Sequence, residues 1–138
     1  MENYFDLHLK EDDIRGISSI GLAHLGDAVY ELLARSYLCA HGKATGKGLH
    51  RATVELVRAP AQAERAEKIL PMLTEEELAV FKRGRNAHVS SIPSGASRSD
   101  YLKATALECL LGYLYLHGAK ERINQLFAAM MEECDDAT

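Results

Sequence analysis

The sequence is poor in cysteine and has no long apolar run, and these shortages exclude several classes of protein. Its three cysteines, Cys39, Cys109 and Cys134, are odd in number and far apart, which argues against a disulfide scaffold or a zinc site and favours reduced thiols in a cytoplasm. No apolar run reaches the ~20 residues of a membrane span. The first residues are acidic and interrupted by charges, unlike a secretory signal. We therefore expect a cytoplasmic protein with no membrane segment.

The remaining composition is that of an ordinary globular domain. The chain has 138 residues, of which 47% are hydrophobic and 26% are charged, so wholesale disorder is excluded. This length matches the ~100–200 residues typical of one domain, and such a domain buries roughly two-thirds of its unfolded surface. We therefore predict one domain over residues 1–138 with a substantial core.

The charge of the chain is acidic overall but unevenly distributed. There are 16 Lys and Arg against 20 Asp and Glu, for a net charge of −4, whereas nucleic-acid-binding domains are typically basic. Residues 41–58, however, contain four Lys or Arg against one Glu, and residues 82–103 contain five against one Asp. These two basic windows indicate a side that faces a polyanion; ordinary solvated loops are the competing interpretation.

Helical periodicity runs through the whole sequence, and no strand pattern or repeat is visible. Ser18 or Ser19 is suited to cap the first helix, and Gly42 is suited to end it. Thr74 and Glu77 form a capping box for the fourth helix. The fold class is therefore predicted as all-α. The predicted helices are Ile17–Ala40, Leu49–Val57, Pro60–Leu70, a helix from Glu75 into the basic residues 82–86, Tyr101–Leu116 and Glu121–Glu133.

Two carboxylates interrupt helices that are otherwise apolar. From Ala104 to Leu116 the fifth predicted helix is apolar on every side, as in a helix buried all round, and Glu108 is its only charged residue. Asp27 likewise interrupts an apolar run in the first helix, directly after Gly26. A lone ionised carboxylate in such surroundings costs several kcal/mol unless it is compensated. A glycine inside a helix indicates a close helix contact or a close ligand.

Each carboxylate can be compensated in three ways: by pairing with a basic residue, by staying protonated, or by binding a cation. An ion pair is the ordinary solution for either residue alone, but a shared divalent cation better explains two carboxylates on the two most apolar helices. No His or Cys spacing of a zinc or haem site is present. The ligands are then oxygens only, which suits Mg²⁺ or Mn²⁺. Asp27 and Glu108 are the candidate catalytic and metal-binding residues.

Three residues at helical spacing from this pair each have two interpretations. Glu31, one turn after the first carboxylate, is either a further acid of the site or a surface residue, solvated or paired with Arg35. Thr105, one turn before the second carboxylate, either orients a metal-bound water or bonds back to its own helix. His24 either faces the same pocket or is a satisfied core histidine.

These residues resemble the motifs of the ribonuclease III family. The segment L-G-D-A-V-Y at 25–30 resembles the L-G-D-A-V core of the family signature, and E-C-L-L-G-Y-L-Y-L at 108–116 resembles its second acidic helix. The patterns A-x-L-G-D-A-V-Y-E at 23–31 and R-G-R-N-A at 83–87 are similar to the compact bacterial Mini-ribonuclease III branch. The likeness extends over residues 20–131, and the order of the paired motifs makes it specific.

The chain departs from full-length ribonuclease III in its acidic residues. Two further glutamates of the longer enzymes fall here on Ile20 and Ala23, and an aspartate of the second acidic helix is replaced by Thr105. The acidic cluster is thereby reduced to Asp27 and Glu108, which is also the pattern of the compact branch. The resemblance implies metal-assisted hydrolysis by these two residues.

The resemblance also implies an overall activity. It implies a homodimeric, Mg²⁺-dependent endoribonuclease for double-stranded RNA, which leaves 5′-phosphate and 3′-hydroxyl ends with short 3′ overhangs. It implies the 23S ribosomal RNA precursor as substrate, and a single catalytic domain over residues 1–138 without a double-stranded-RNA-binding domain. Because such a chain is expected to bind RNA weakly, we expect either a ribosomal protein or the structural context of the RNA to supply specificity.

A-form RNA offers phosphates, 2′-hydroxyls and shape, but no readable major groove, so we expect the two basic windows to bind it. Asn86 either donates to a ribose or phosphate oxygen or caps a helix. The expected RNA-binding residues are Lys43, Lys47, His50, Arg51, Lys82, Arg83, Arg85, Asn86 and Lys103.

Two other functions stay open on the sequence alone. One is a non-catalytic helical adaptor that binds ribosomal RNA, for which duplex binding without Mg²⁺-dependent cleavage is expected. The other is a metal-dependent nucleotide phosphohydrolase on an all-α bundle, which the absence of an adjacent His-Asp pair disfavours.

Overall fold

The structure is a computed structural model that describes residues 1–41, 46–87, 91–92 and 97–132. These residues form helices and contain no strand, which confirms the all-α prediction. Their helices, in chain order, are α1 (Glu11–Arg15), α2 (Ser19–Ala40), α3 (Gly46–Val57), α4 (Ala59–Ile69) with a 3₁₀ turn at Leu70–Met72, α5 (Glu75–Arg85), α6 (Arg98–Leu116) and α7 (Lys120–Met131).

Helix α6 is the centre of the bundle, as its uniform apolarity predicts. It packs along α2, and α4, α5 and α7 also lie against it. Leu107, Leu110 and Leu111 are fully excluded from solvent, and the burial of each leucine contributes about 1.5–3 kcal/mol. Neither α6 nor any other described helix is long and apolar enough to cross a membrane.

Helix α2 begins at a predicted cap. The hydroxyl of Ser18 accepts a hydrogen bond from the amide of Gly21 at 3.0 Å, which satisfies one of the free amides at the start of the helix. Spacings of three and four residues then make one buried stripe along α2. Its buried residues are Leu22, Ala23, Gly26, Val29, Tyr30, Ala34 and Leu38.

The capping box predicted at Thr74 is confirmed. Its hydroxyl accepts from the amide of Glu77 at 3.1 Å, and the Glu77 carboxylate accepts from the amide of Thr74 at 2.9 Å. The same buried carboxylate accepts from Arg122 of α7 through both oxygens, at 2.8 and 2.9 Å. The start of α5 is thereby tied to α7.

Several helix ends differ from the predicted ones. Helix α1 was not predicted, because its five residues are too few to show a period. Helix α3 begins at Gly46, ahead of the predicted Leu49, since its first turn is glycine and lysine and carries no apolar signal. Helix α6 begins ahead of Tyr101, under a cap from Ser97. Gly42, the expected end of α2, lies outside the described residues.

Candidate active site

Helices α2 and α6 cross with their backbones in contact at the two predicted carboxylates. A Cβ atom added to Gly26 would lie 1.6 Å from the carbonyl oxygen of Glu108, and one added to Gly112 would lie 2.1 Å from the carbonyl oxygen of Leu22. Only glycine permits this approach, so the close helix contact expected at Gly26 is confirmed. The crossing brings Asp27 and Glu108 within hydrogen-bonding reach of each other.

Glu108 is the inner member of this pair. Burial raises its pKa to about 8, and the negative charge of Asp27 adds to the rise. A hydrogen bond from the side chain of Gln62 on α4 acts in the opposite direction and lowers the pKa. A carboxyl group with this pKa is mostly protonated at neutral pH unless a cation takes the place of the proton.

Asp27 is exposed, which corrects the expectation that both carboxylates are embedded among apolar neighbours. One residue corresponds to about 100° of rotation around a helix. The step from Gly26 to Asp27 therefore moves from the middle of the buried stripe of α2 to its edge. The pair thus consists of one half-buried carboxylate and one exposed carboxylate at the rim.

No basic side chain neutralises this pair in the part of the chain that the structure describes. The nearest acid on α2, Glu31, pairs with Arg35 at 3.0 Å, which is one of the two interpretations open for it. Ion pairing of Asp27 and Glu108 with the described residues is therefore excluded, and protonation and cation binding are left. Two adjacent carboxylates suit a hard divalent cation that keeps several waters. The described residues contain no group of three or more His, Cys, Asp or Glu that could hold a metal.

Thr105 and His24 do not join the pair. The hydroxyl of Thr105 donates to the carbonyl oxygen of Tyr101 in the same helix at 2.9 Å, which is the local interpretation open for it. His24 is exposed, so its interpretation as a core histidine is wrong. Within the described structure, neither side chain forms a hydrogen bond or ion pair with Asp27 or Glu108.

Gln62 is a residue of the site that the sequence analysis missed. It is only 3% exposed, and its Nε2 donates to the carbonyl oxygen of Val57 at 2.8 Å. Its Oε1 is buried with no hydrogen-bond partner in the described structure. The sequence does indicate this burial, because Gln62 is followed by Ala66 and Ile69 at the spacing of one helix face. That spacing predicts a polar amide on a buried face. A buried amide that is not fully partnered is uncommon and requires an explanation.

Tyr30 of α2 makes a second hydrogen bond to the end of α3. It is 1% exposed, and its hydroxyl donates to the carbonyl oxygen of Leu56 at 2.9 Å. Burial raises its pKa to about 12; Arg65 opposes the rise, and Glu108 adds to it. Tyr30 is therefore a neutral phenol at physiological pH, and its hydrogen bond ties the end of α3 to α2.

The first basic window lies on α3, which packs against α2 and α4. Lys47, His50 and Arg51 are all exposed on this helix. Lys43, the other candidate of this window, lies outside the described residues. The three described side chains are free of the core and available for contacts with phosphates.

The second basic window includes the C-terminal end of α5, which packs against α6 and α2. Lys82 and Arg83 are exposed, and Arg85 is half-buried. Asn86 is the C-cap residue of α5 and is exposed, so its position as a cap leaves its side chain accessible.

Lys103 differs from the other cations of this window. Its ammonium forms an ion pair with Glu67 of α4 at 2.7 Å, so it must leave this partner before it can contact a phosphate. Its ion pair also joins α6 to α4 on the outside of the bundle.

Comparison with known proteins identifies one family. Residues 21–119 match the Ribonuclease III domain. A Mini-ribonuclease 3 of Clostridium tetani is 35% identical over 140 residues, which cover 100% of this chain and 93% of the relative. A Mini-ribonuclease 3 of Brevibacillus brevis is 48% identical over 105 residues, which cover 76% of this chain and 78% of the relative.

A solved structure has the same architecture. The X-ray crystal structure of a Fusobacterium nucleatum protein matches with a TM-score of 0.80 and 32% identity, over 88% of this chain and 97% of that one. The segment that matches the family contains both Asp27 and Glu108. The chain therefore belongs to the ribonuclease III family, in its Mini-ribonuclease 3 branch, and is an endoribonuclease.

Proposed function

We propose that this endoribonuclease depends on Mg²⁺ held by Asp27 and Glu108, and that it cleaves a 23S ribosomal RNA precursor as a homodimer. The observation that carries the proposal is the meeting of these two carboxylates at the α2–α6 crossing, without a basic partner among the described residues. Enzymes of the ribonuclease III family act on double-stranded RNA and generally use a divalent metal.

The donor set of the site favours Mg²⁺. Both carboxylates offer hard oxygen ligands, and in the described structure neither a thiol nor an imidazole is hydrogen-bonded to them. When bound, Mg²⁺ supplies Lewis-acid charge and a water of lowered pKa, which are the two kinds of assistance that phosphodiester hydrolysis needs. Mn²⁺ satisfies the same donor set and is the alternative metal.

The two carboxylates contribute differently. Glu108 is anchored on the buried helix α6, so the backbone that carries it is held in place by the core. Asp27 lies at the exposed rim, where a phosphate of the RNA backbone has access. Because the pKa of Glu108 is raised to about 8, this residue is mostly protonated at neutral pH until a cation compensates its charge, so metal binding and ionisation are coupled.

The exposed cations of α3 and α5 support RNA binding. A duplex RNA is recognised by its shape, its phosphates and its 2′-hydroxyls, and these are the groups that exposed Lys, Arg and Asn side chains bind. With a net charge of −4 on the chain, affinity is expected to be low and steeply dependent on salt. Assistance by a ribosomal protein is consistent with such weak binding and forms part of the proposal.

Helix α2 carries the candidate contact of the proposed homodimer. Ile20 and Leu32 are large apolar side chains, yet they are 44% and 57% exposed on the helix that carries Asp27. These two side chains are our candidates for the contact between the copies, and a two-fold arrangement would supply one site for each strand of the duplex. Leu32→Asp is expected to convert a dimer to a monomer in size-exclusion chromatography with light scattering. A wild-type protein that is monomeric at all concentrations would contradict this part of the proposal.

A cleavage assay tests the activity. End-labelled duplex RNA, single-stranded RNA and duplex DNA of equal length are each incubated with Mg²⁺ or with a chelator. We expect cleavage of the duplex RNA alone, only with Mg²⁺, to products with 5′-phosphate and 3′-hydroxyl ends. Asp27→Asn and Glu108→Gln are expected to abolish cleavage while the helical circular dichroism is kept. Glu121→Gln, at an exposed carboxylate of α7, is the matched control and should cleave at the wild-type rate.

Other outcomes of this assay have definite meanings. Duplex binding without Mg²⁺-dependent cleavage would support the adaptor function instead. A wild-type cleavage rate in either carboxylate variant would remove that residue from the site. For the substrate, we expect discrete cuts in a transcript that carries the terminal duplex of the 23S precursor. Equal, unselective cutting of an unrelated duplex of the same length would contradict the proposed substrate.

A further inference from the structure

The side chain of Gln62 connects the active site to the end of α3. Its Nε2 donates to the carbonyl oxygen of Val57, the last residue of α3, at 2.8 Å. The same side chain lies within hydrogen-bonding reach of the carboxylate of Glu108 on α6, the helix against which α4 packs. An amide nitrogen carries two hydrogens, so one group can serve both acceptors. Gln62 therefore joins three helices at the point where the metal is proposed to bind.

The burial of the Gln62 side chain costs free energy that an apolar residue would avoid. The residue is 3% exposed, and its Oε1 has no hydrogen-bond partner in the described structure. A buried polar atom without a partner costs about 1–3 kcal/mol. An apolar residue at this position would avoid that cost, because the neighbouring buried positions of α4, Ala63, Ala66 and Ile69, are apolar. Stability alone therefore does not account for a glutamine here.

We propose that Gln62 is a positioning residue of the metal site, which holds the carboxylate of Glu108 in the orientation that binds the cation. The inference rests on the proposed function, because it needs a metal at Asp27 and Glu108. Groups that hydrogen-bond to metal-ligating side chains fix their orientation, and their loss typically lowers metal affinity about 10–100-fold. The bond from Gln62 to Val57 in turn fixes the amide.

A purely structural role is the competing explanation. In that case Gln62 would matter only because it satisfies the last carbonyl group of α3. Tyr30 provides the matched comparison, since its hydroxyl donates to the adjacent carbonyl oxygen, that of Leu56, at 2.9 Å. Tyr30→Phe removes this bond from the same end of α3 and leaves the side chains of Gln62 and Glu108 unchanged.

The experiment measures Mn²⁺ binding to the full chain without RNA, by the electron paramagnetic resonance signal of free Mn²⁺. Gln62→Met removes the amide and keeps the length of the side chain, and Gln62→Ala serves as a second variant if the methionine variant does not fold. Asp27→Asn is the reference for a lost ligand, and circular dichroism checks the helical content of each variant. We expect Gln62→Met to raise the Kd for Mn²⁺ at least about tenfold, while Tyr30→Phe keeps the wild-type Kd.

The outcomes separate this inference from the proposed function. If the wild-type protein binds Mn²⁺ no better than Asp27→Asn, the metal site and this inference fail together. If the wild-type protein binds Mn²⁺ and the Gln62 variants bind it equally well, only the inference is overturned. It is also overturned if Tyr30→Phe weakens binding as much as Gln62→Met, because the effect would then come from the end of α3.

Discussion

The carbonyl oxygen of Glu108 lies 1.6 Å from the place that a Cβ atom on Gly26 would occupy. A backbone contact, and not the interlocking of large side chains, therefore sets the distance between α2 and α6 at this point. Asp27 follows Gly26 directly, so the same contact decides how far the two carboxylates are from each other. The stability of the fold and the geometry of the site thus depend on one glycine.

Gly26→Ala is expected to lower the free energy of unfolding by about 3 kcal/mol or more. Overpacking a core typically costs about 1–3 kcal/mol, and here the added atom meets a backbone carbonyl group that cannot move without displacing a helix. Urea denaturation followed by circular dichroism measures the change. We also expect the variant to bind Mn²⁺ more weakly, because separated helices hold Asp27 and Glu108 further apart.

Gly46→Ala is the control for this substitution. Gly46 is the first residue of α3, and a Cβ atom there would meet nothing within 4 Å. Replacing a helical glycine by alanine where space permits stabilises a protein by about 0.5–1 kcal/mol. If both glycine variants lost stability equally, the contact between Gly26 and Glu108 would not be the cause.

In the presence of a chelator, the stability of the fold is expected to fall as the pH rises from 4.5 to about 8. The pKa of Glu108 is raised from 4.5 to about 8 in the folded chain. Between these values the folded state binds more protons than the unfolded state, so each rise in pH disfavours folding. The stabilisation is complete below pH 4.5 and is lost above about pH 8.

Glu108→Gln removes this titration and keeps the volume of the side chain. Its melting temperature in chelator is expected to be less dependent on pH over the same range and higher than that of the wild type near pH 8, because the cost of burying a charged carboxylate and the repulsion by Asp27 are both gone. Thermal unfolding at a series of pH values measures both effects. An unchanged pH dependence in this variant would show that another group titrates.

The sequence was sufficient to find both carboxylates and the glycine beside them. Charged residues in apolar helices are costly, and a glycine inside a helix is unfavourable, so each of them stands out from its neighbours. Ser18 and Thr74 were also predictable, because a cap is a hydrogen bond within one turn of its own helix. Such features depend on residues that are close together in the chain, so they can be recognised from the sequence alone.

Features that depend on distant residues were not predicted. The role of Gln62 arises from Glu108, which is far from it in the sequence and adjacent to it only in the bundle. Asp27 is exposed because α6 packs against the side of α2 that carries Gly26. Periodicity alone does not locate the edge of this buried face to within one residue. The basic windows predicted exposed cations, but the ion pair between Lys103 and Glu67 joins two helices and has no signal in either.

Arg51→Ala and Arg85→Ala are expected to weaken the binding of duplex RNA and to make it less dependent on salt. Each phosphate contact that is lost reduces the slope of log K against log salt concentration by about one. Fluorescence anisotropy with the Asp27→Asn background, which is expected not to cleave, measures the slope over a range of salt concentrations. Arg15→Ala is the control, because Arg15 is exposed on α1 and paired with Asp12 at 2.9 Å. An unchanged slope would remove the residue concerned from the RNA-binding surface.

The ion pair between Glu77 and Arg122 is expected to stabilise the fold at neutral pH and to fail in acid. Arg122→Met leaves the buried carboxylate of Glu77 without its partner, which should lower the free energy of unfolding by about 3 kcal/mol at neutral pH. Hydrogen bonds from Arg122 lower the pKa of Glu77 below 4.5, so this stabilisation is present above pH 4.5 and is lost as the pH falls through the folded pKa. The two proteins should therefore differ less in acid than at neutral pH when unfolded by urea. A difference that does not change with pH would mean that Arg122 acts through packing and not through its charge.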